Sequence, residues 1–267
     1  MPHISFTYSR VTADPAQYGH GIAFSALSKA EFATFNPAVL GLGDLSCDSK
    51  NMQALAAFFD LEGFTDFCGQ VDPHLVIPEF LTRYLNWLFQ ALAEEFREST
   101  DADTVKLWGC LPFYVKFMGD GILFLWDTDR CNGFTGKVNI ANSLLTITDA
   151  YTRHFLVDIR KAVSNPPKIL RCGIALGQIT SIGGGADYVG PCINVASRLQ
   201  KLSSLSFAVS RRGFDLSESP ASEGQLRSFL VLKQTELRGI GLEELVYIRK
   251  DEFATLSASE KKELRDP

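Results

Sequence analysis

The sequence has no Cys-x-x-Cys pair, no apolar run near membrane-span length and no excess of basic residues. Each absence removes a class of function. The six cysteines (Cys47, Cys68, Cys110, Cys131, Cys172 and Cys192) are dispersed, so neither a zinc site nor a disulfide framework is expected. Reduced, mostly buried thiols in a cytosol fit best. The four histidines (His3, His20, His74 and His154) are scattered as well, and surface or core placement is expected for them. No stretch approaches the roughly 20 apolar residues that span a bilayer. The N-terminus lacks the basic-then-apolar pattern of a secretion signal. The expectation is a soluble cytoplasmic chain with no membrane partner. The net charge of −5 offers no polycation to nucleic acid, so a polyphosphate ligand would have to be met by local charge and metal. No Ser/His or Cys/His constellation, internal repeat or low-complexity block is visible.

What remains is the composition of an ordinary folded protein. Hydrophobic residues make up 46% of the 267 and charged residues 21%. Residues 1–51 show turn residues (Asp14-Pro15, Asn36-Pro37) and short apolar patches such as Ile22–Leu27, and are expected to form a lead-in packing on the core. A nearly continuous apolar run over Met52–Phe59 predicts a central strand buried on both faces. After a turn at Gly63, Pro78 is expected to open a helix. Phe80, Leu81, Tyr84, Leu85, Leu88, Phe89, Leu92 and Phe96 recur there at three-to-four spacing. Pro112–Asp127 places two β-rich arms around Met118-Gly119-Asp120-Gly121, a hairpin signal. Lys137–Val163 reads as a second long helix stopped by Pro166-Pro167. Lys168–Ile179 reads as a strand interrupted by Gly173 and Gly177, and Gly183–Gly185 as a flexible tip. Cys192–Leu202 is helical in pattern, and short strands follow at Ser206–Ser210, Phe229–Leu237 and Leu245–Arg249. The polar tail from Ser257 reads as a solvated helix end.

Strand, helix, hairpin, helix, strand is the order of a ferredoxin-like βαββαβ core. The predicted fold is therefore α+β, an α/β sandwich with helices on one face of the sheet and a C-terminal appendage. Its expected divisions are the lead-in over 1–51, the main domain over 52–250 and a polar tail over 251–267. In this topology the first strand and the hairpin are neighbours, which would set Asp60 beside Asp120. Two carboxylates next to a turn rich in free N–H groups suit Mg²⁺ or Mn²⁺ together with a nucleotide, because hard cations take oxygen ligands and share them with phosphates. Taken alone, each also reads as an ordinary Asp in a glycine turn. Asn194 and Arg198 lie four apart and share a helix face. An arginine there can meet charge growing on a phosphoryl group, although an isolated N-x-x-x-R also describes a surface arginine near a capping asparagine.

Together these blocks resemble the catalytic domain of the class III nucleotidyl cyclases, the adenylate and guanylate cyclase family. The matching pieces are F-F-D-L-E-G-F-T, V-K-F-M-G-D-G, R-C-G-I-A-L-G-Q-I, D-Y-V-G-P-C-I-N-V-A-S-R-L and L-R-G-I-G, in family order from about Met52 to Lys250. The resemblance implies a class III cyclase fold and roles by position. Asp60, Asp120 and the Leu61 carbonyl would hold two Mg²⁺ or Mn²⁺ ions per site. The amides of Gly63, Phe64 and Thr65 would hold the β- and γ-phosphates, with Arg238 as a further triphosphate contact. Asn194 would orient the ribose, and Arg198 would act in the transition state. It also implies a homodimer with composite sites, the aspartates coming from one chain and the Asn/Arg pair from the other.

For the base, the resemblance points to Lys116 and Asp187. A lysine donor with an aspartate acceptor matches adenine, but cytosine presents the same order and uracil can satisfy it in a shifted pose. K-F-M-G-D-G-I-L-F-L-W and D-Y-V-G-P-C-I-N-V-A-S-R-L-Q also resemble the small standalone pyrimidine cyclases of the bacterial Pycsar anti-phage system. That resemblance implies cUMP, or next cCMP, as product and a separate effector protein as its target. Adenylate cyclase stays open as the alternative, and a silent cyclase-like nucleotide-binding module is the alternative of another class. The G-G-D-E-F run of a diguanylate cyclase is absent.

Overall fold

The computed structural model describes residues 7–18, 23–34, 40–70, 72–131, 133–216 and 224–267. The expected turn at Asn36-Pro37, part of the Ile22–Leu27 patch, and His3 and His20 lie outside them. The chain divides into two compact units: Met1–Asn51 with Thr180–Val189, and Met52–Ile179 with Gly190–Pro267.

In the first unit, β1 (Ser9–Thr12) pairs antiparallel with β2 (Ala23–Ala26), accompanied by α1 (Pro15–Tyr18) and α2 (Lys29–Thr34). Residues 180–189 are tied to the end of this segment. The Ser181 N–H donates to the Lys50 carbonyl, and the Lys50 N–H donates to Ser181 Oγ, both at 2.9 Å.

The second unit is built on β3 (Asn51–Glu62), which is apolar from Ala54 to Leu61 apart from Asp60. A short α3 (Phe64–Cys68) and the long α4 (Pro73–Phe96) follow. A separate hairpin of β4 (Arg97–Thr100) and β5 (Val105–Leu107) precedes β6 (Tyr114–Met118) and β7 (Gly121–Asp127). Then come α5 (Gly133–Ala150), a π-helical turn over Tyr151–Phe155, and α6 (Leu156–Ile159). β8 (Ile169–Ile182) follows; β9 (Asp187–Val189) belongs to the first unit, and α7 (Pro191–Leu199) and β10 (Phe207–Ser210) belong to the second. The chain ends with α8 (Gly224–Phe229), β11 (Leu230–Leu237), β12 (Gly241–Arg249), α9 (Lys250–Thr255) and α10 (Ala258–Glu263).

The sheet runs β11-β12-β10-β8-β3-β7-β6. Its half β8-β3-β7-β6 has the ferredoxin-like order 4-1-3-2, and β10, β12 and β11 extend it as the appendage. The expected α+β fold is thus observed. Side chains alternate across each strand. Leu55, Ala57, Phe59 and Leu61 of β3 join Ile122, Phe124 and Trp126 of β7 and Cys172 and Ile174 of β8 in the core beneath α4 and α5. Ala54, Ala56, Phe58 and Asp60 therefore face the other side of the sheet, as do Arg171 and Gly173. On that side α7 lies against β8. A Cβ added at Gly173 would meet the Ala196 carbonyl oxygen at 2.2 Å and the Gln200 nitrogen at 2.5 Å, so only glycine lets the helix approach this closely.

Several boundaries differ from expectation. α4 begins at Pro73, not Pro78. Pro73 needs no N–H donor in the first turn, and Pro78 sits inside the helix, which forgoes one hydrogen bond. The buried residues of α4 are Phe80, Tyr84, Leu88, Leu92 and Phe96, while Phe89 is 48% exposed. The second long helix opens at Gly133 and carries the π turn, where the Tyr151 hydroxyl donates to the Pro167 carbonyl at 2.6 Å. β3 continues three residues past Phe59, which brings Asp60 into the strand. The tail is not merely solvated: Gln234 and Arg265 exchange main-chain hydrogen bonds, and Lys233 Nζ pairs with Asp266 at 2.6 Å. No helix among the described residues is long and apolar enough to cross a membrane.

Candidate active site

Asp60 sits near the end of β3 opposite Gly121, the first residue of β7. The β6–β7 hairpin closes at the Met118–Gly121 pair, leaving Gly119 and Asp120 as its loop. Gly119 carries the positive φ, 85°, that the turn needs. Asp120 is thereby next in chain to the residue paired with Asp60. Both carboxylates line one cavity of ≈340 Å³ together with Leu61, Gly63, Phe64, Thr65, Arg171 and Lys201.

Part of the lining of this cavity is a bend in the backbone at Gly63. Gly63 has φ 81°, a left-handed conformation that costs a side-chain-bearing residue steric strain. α3 starts immediately after it. Its first intrahelical bond runs from the Phe67 N–H to the Gly63 carbonyl at 2.9 Å, so the N–H groups of Phe64, Thr65 and Asp66 come before the helical ladder.

Asp60 is only 6% exposed. Burial raises its pKa above the ordinary aspartate value, and the nearby Asp120 charge raises it further; Lys201 and Arg171 pull it back in part. Arg171 pairs with Glu62 at 2.5 Å. That pairing is incomplete, since Arg171 Nε and Glu62 Oε2 are buried with no hydrogen-bond partner among the described residues. The site thus holds two mutually repelling carboxylates, one of them desolvated, beside a guanidinium with a donor to spare.

Two hard oxygen donors at the cavity wall fit Mg²⁺ or Mn²⁺. Among the described residues no group of three or more His, Cys, Asp and Glu side chains could hold a metal. A cation here would therefore complete its shell with main-chain, water or phosphate oxygens, the habit of Mg²⁺ at phosphate sites.

Other sequence candidates lie elsewhere. Asn194 and Arg198 are both exposed on α7, while its opposite face (Cys192, Val195, Ala196 and Leu199) is buried. Neither lines the Asp60 cavity. Arg238 is exposed in the β11–β12 turn and lines a separate cavity with Lys262 and Arg265. Lys116 on β6 is paired with Leu123, which pairs in turn with Phe58, so Lys116 shares the sheet face of Asp60. Asp187 begins β9 in the first unit, its Oδ1 accepting from the Tyr188 N–H at 2.8 Å.

Arg171 and Lys201 are the site residues that sequence reasoning missed. Arg171 had a signal: it is a lone charge in the apolar strand I-L-R-C-G-I-A-L, on the face opposite Leu170 and Cys172. Lys201 had none, because only the fold brings the chain beyond α7 towards Asp60.

No protein-family model matches the chain, and no curated protein sequence matches it. Solved structures do. The adenylyl cyclase CyaB from P. aeruginosa matches with a TM-score of 0.55 at 16% identity, over 76% of this chain and 96% of that one. The catalytic core of a rhodopsin-guanylyl cyclase with converted specificity, in complex with ATPαS, matches with a TM-score of 0.51 at 18% identity, over 76% and 98%. At these identities the likeness is one of fold, and the fold is that of class III cyclase catalytic domains.

Proposed function

We propose that this chain is a nucleotidyl cyclase that converts a nucleoside triphosphate into a 3′,5′-cyclic nucleotide and pyrophosphate. The observation that carries the proposal is the meeting of Asp60 and Asp120 at one cavity, beside the Gly63 bend and Arg171. Asp60, Asp120 and the Leu61 carbonyl are the residues that would hold Mg²⁺ or Mn²⁺, two ions per site. Such ions supply Lewis acidity toward the ribose 3′-oxygen and neutralise phosphate charge.

The protein's own part is positioning and charge. The N–H groups at Gly63, Phe64 and Thr65 hold the terminal phosphates, with Arg171 Nε as an added donor and Arg238 as a further contact. Asn194 orients the ribose. Arg198 meets the charge that grows as the 3′-oxygen bonds to the α-phosphorus and the α–β bridging bond breaks. The 3′-hydroxyl proton passes to solvent and pyrophosphate leaves, so no protein nucleophile is required. Asn194 and Arg198 are exposed and lie away from the cavity of their own chain, which supports a homodimer in which each α7 serves the partner's cavity.

For the base we favour a pyrimidine, UTP first and CTP second. This reading rests on the likeness of the Lys116–Trp126 and Asp187–Gln200 segments to the Pycsar cyclases. In that setting the cyclic product is a second messenger of anti-phage defence, acting on a separate effector in the cytoplasm. Lys116 with Asp187 is the specific feature that favours the second reading, ATP. Purified protein is incubated with each of the four nucleoside triphosphates and Mn²⁺, and cyclic product and pyrophosphate are quantified. Cyclic UMP is expected. Cyclic AMP alone would overturn the pyrimidine reading, and no cyclic product from any of the four would overturn the enzyme reading.

A further inference from the structure

Cys110 and Cys131 are 21 positions apart in sequence and touch in the fold. Their sulfurs lie 2.8 Å apart, about 0.8 Å beyond the S–S bond length. Cys110 lies in the segment between β5 and β6. Cys131 follows the turn after β7, so the pair brackets the hairpin that carries Asp120. The Asp127 carbonyl anchors both, 3.3 Å from Cys131 Sγ and 3.9 Å from Cys110 Sγ. Cys110 is partly exposed and Cys131 buried, so an oxidant in solution reaches the first and not the second. No other pair of cysteines among the described residues is in sulfur contact.

We propose that Cys110 and Cys131 form a reversible redox-active dithiol, with Cys110 as the attacking thiol and Cys131 as the resolving one. The inference stands independently of the nucleotide reading. The hydrogen-bonded contact with Cys131 lowers the Cys110 pKa to about 7, outweighing the burial that raises it. The same contact, with burial, pushes Cys131 up. Burial raises Cys172 and Cys192, the latter to about 11, and raises Cys68. A thiol with a pKa near ambient pH is the best placed to attack.

The co-reactant is a low-molecular-weight disulfide such as oxidised glutathione. The Cys110 thiolate attacks one of its sulfurs, forming a mixed disulfide and expelling one small thiol. Cys131 then loses its proton and attacks Cys110 Sγ. The Cys110–Cys131 bond forms, and the second small thiol leaves with that proton. The two protein thiols lose two electrons in all, and the small disulfide gains them. The bond closes residues 110–131 into a loop with Asp120 at its tip.

The test places the full chain in glutathione buffers of graded redox ratio and reads intact mass and linked peptides. The expected result is the loss of two hydrogens, with Cys110 and Cys131 peptides joined and restored by dithiothreitol. Cys131→Ser should stop at one glutathione on Cys110, and Cys110→Ser should leave Cys131 unmodified. The two variants keep the test valid if one fails to fold. A stable glutathione adduct on wild-type Cys110, a different pairing, or a Cys110–Cys131 pair that stays reduced while exposed Cys47 exchanges would each overturn the proposal.

Discussion

Gly173→Ala tests whether the placement of α7 matters to the chemistry. The added Cβ would lie 2.2 Å from the Ala196 carbonyl oxygen, 2.5 Å from the Gln200 nitrogen and 2.9 Å from Leu199 Cβ. An ordinary carbon–oxygen contact is about 3.3 Å, so α7 must withdraw from β8 by about 1 Å. The obstacles are mainly backbone and cannot turn aside as a side-chain tip could. Overpacking of this kind costs about 1–3 kcal/mol. That corresponds to a fall in Tm of roughly 2–12 °C for a chain of this size. The same shift carries Asn194 and Arg198 with it, and a misplacement of about 1 Å can cost about 10²-fold in rate. The assay is kcat/KM well below Tm beside a stability control, Val246→Ala, at a position buried in β12. The expected outcome is a drop of about 10²-fold in Gly173→Ala and little change in the control. A lowered Tm with an unchanged rate would refute the reasoning, because α7 would then have moved without consequence.

Burial and Asp120 raise the Asp60 pKa, so the folded state holds that proton more tightly than the unfolded chain does. Its stabilising contribution is present below the ordinary value of 3.8 and is lost as pH rises through the raised one. Asp60→Asn should therefore raise the Tm of cation-free protein at pH 7, measured by calorimetry; a lowered Tm would count against this. Mn²⁺ at a hundred times its Kd should stabilise wild type by about 2.7 kcal/mol and the variant hardly at all. Arg171→Ala removes a charged donor from the cavity. KM for the triphosphate should rise roughly 10- to 100-fold, the equivalent of about 1.5–3 kcal/mol, while the Mn²⁺-induced Tm shift persists. Arg198→Ala should lower kcat by about 10²–10³-fold with KM little altered, as steady-state kinetics would show.

The central sheet was legible because its elements carry opposite periodicities: the buried run of β3, the three-to-four stripes of α4 and α5, and the glycine turn of the hairpin. The Asp60–Asp120 juxtaposition followed from topology once strand and hairpin were placed as neighbours. Boundaries were harder, because a proline inside a helix and a proline that opens one look alike in sequence. Phe89 belongs to the apolar stripe of α4 yet is half exposed, since its position on the helix turns it away from the buried Phe80–Phe96 line. Gly173 and Gly177 read as strand interruptions, whereas Gly173 is where a helix lies against the strand, a fact of tertiary approach that no local pattern encodes. The Cys110–Cys131 contact was invisible for the same reason: their spacing matches no motif, and only the closed hairpin brings the two ends together.

The central claim is that one chain's Asp60–Asp120 cavity is completed by the partner's Asn194 and Arg198. Its most direct test is subunit mixing. Asp60→Ala and Arg198→Ala are each expected to lose nearly all activity, and their verified heterodimer contains one intact composite site. Cyclase activity should return to about half that of wild-type dimers, one site in place of two. Heterodimers as silent as the parent variants would contradict the account.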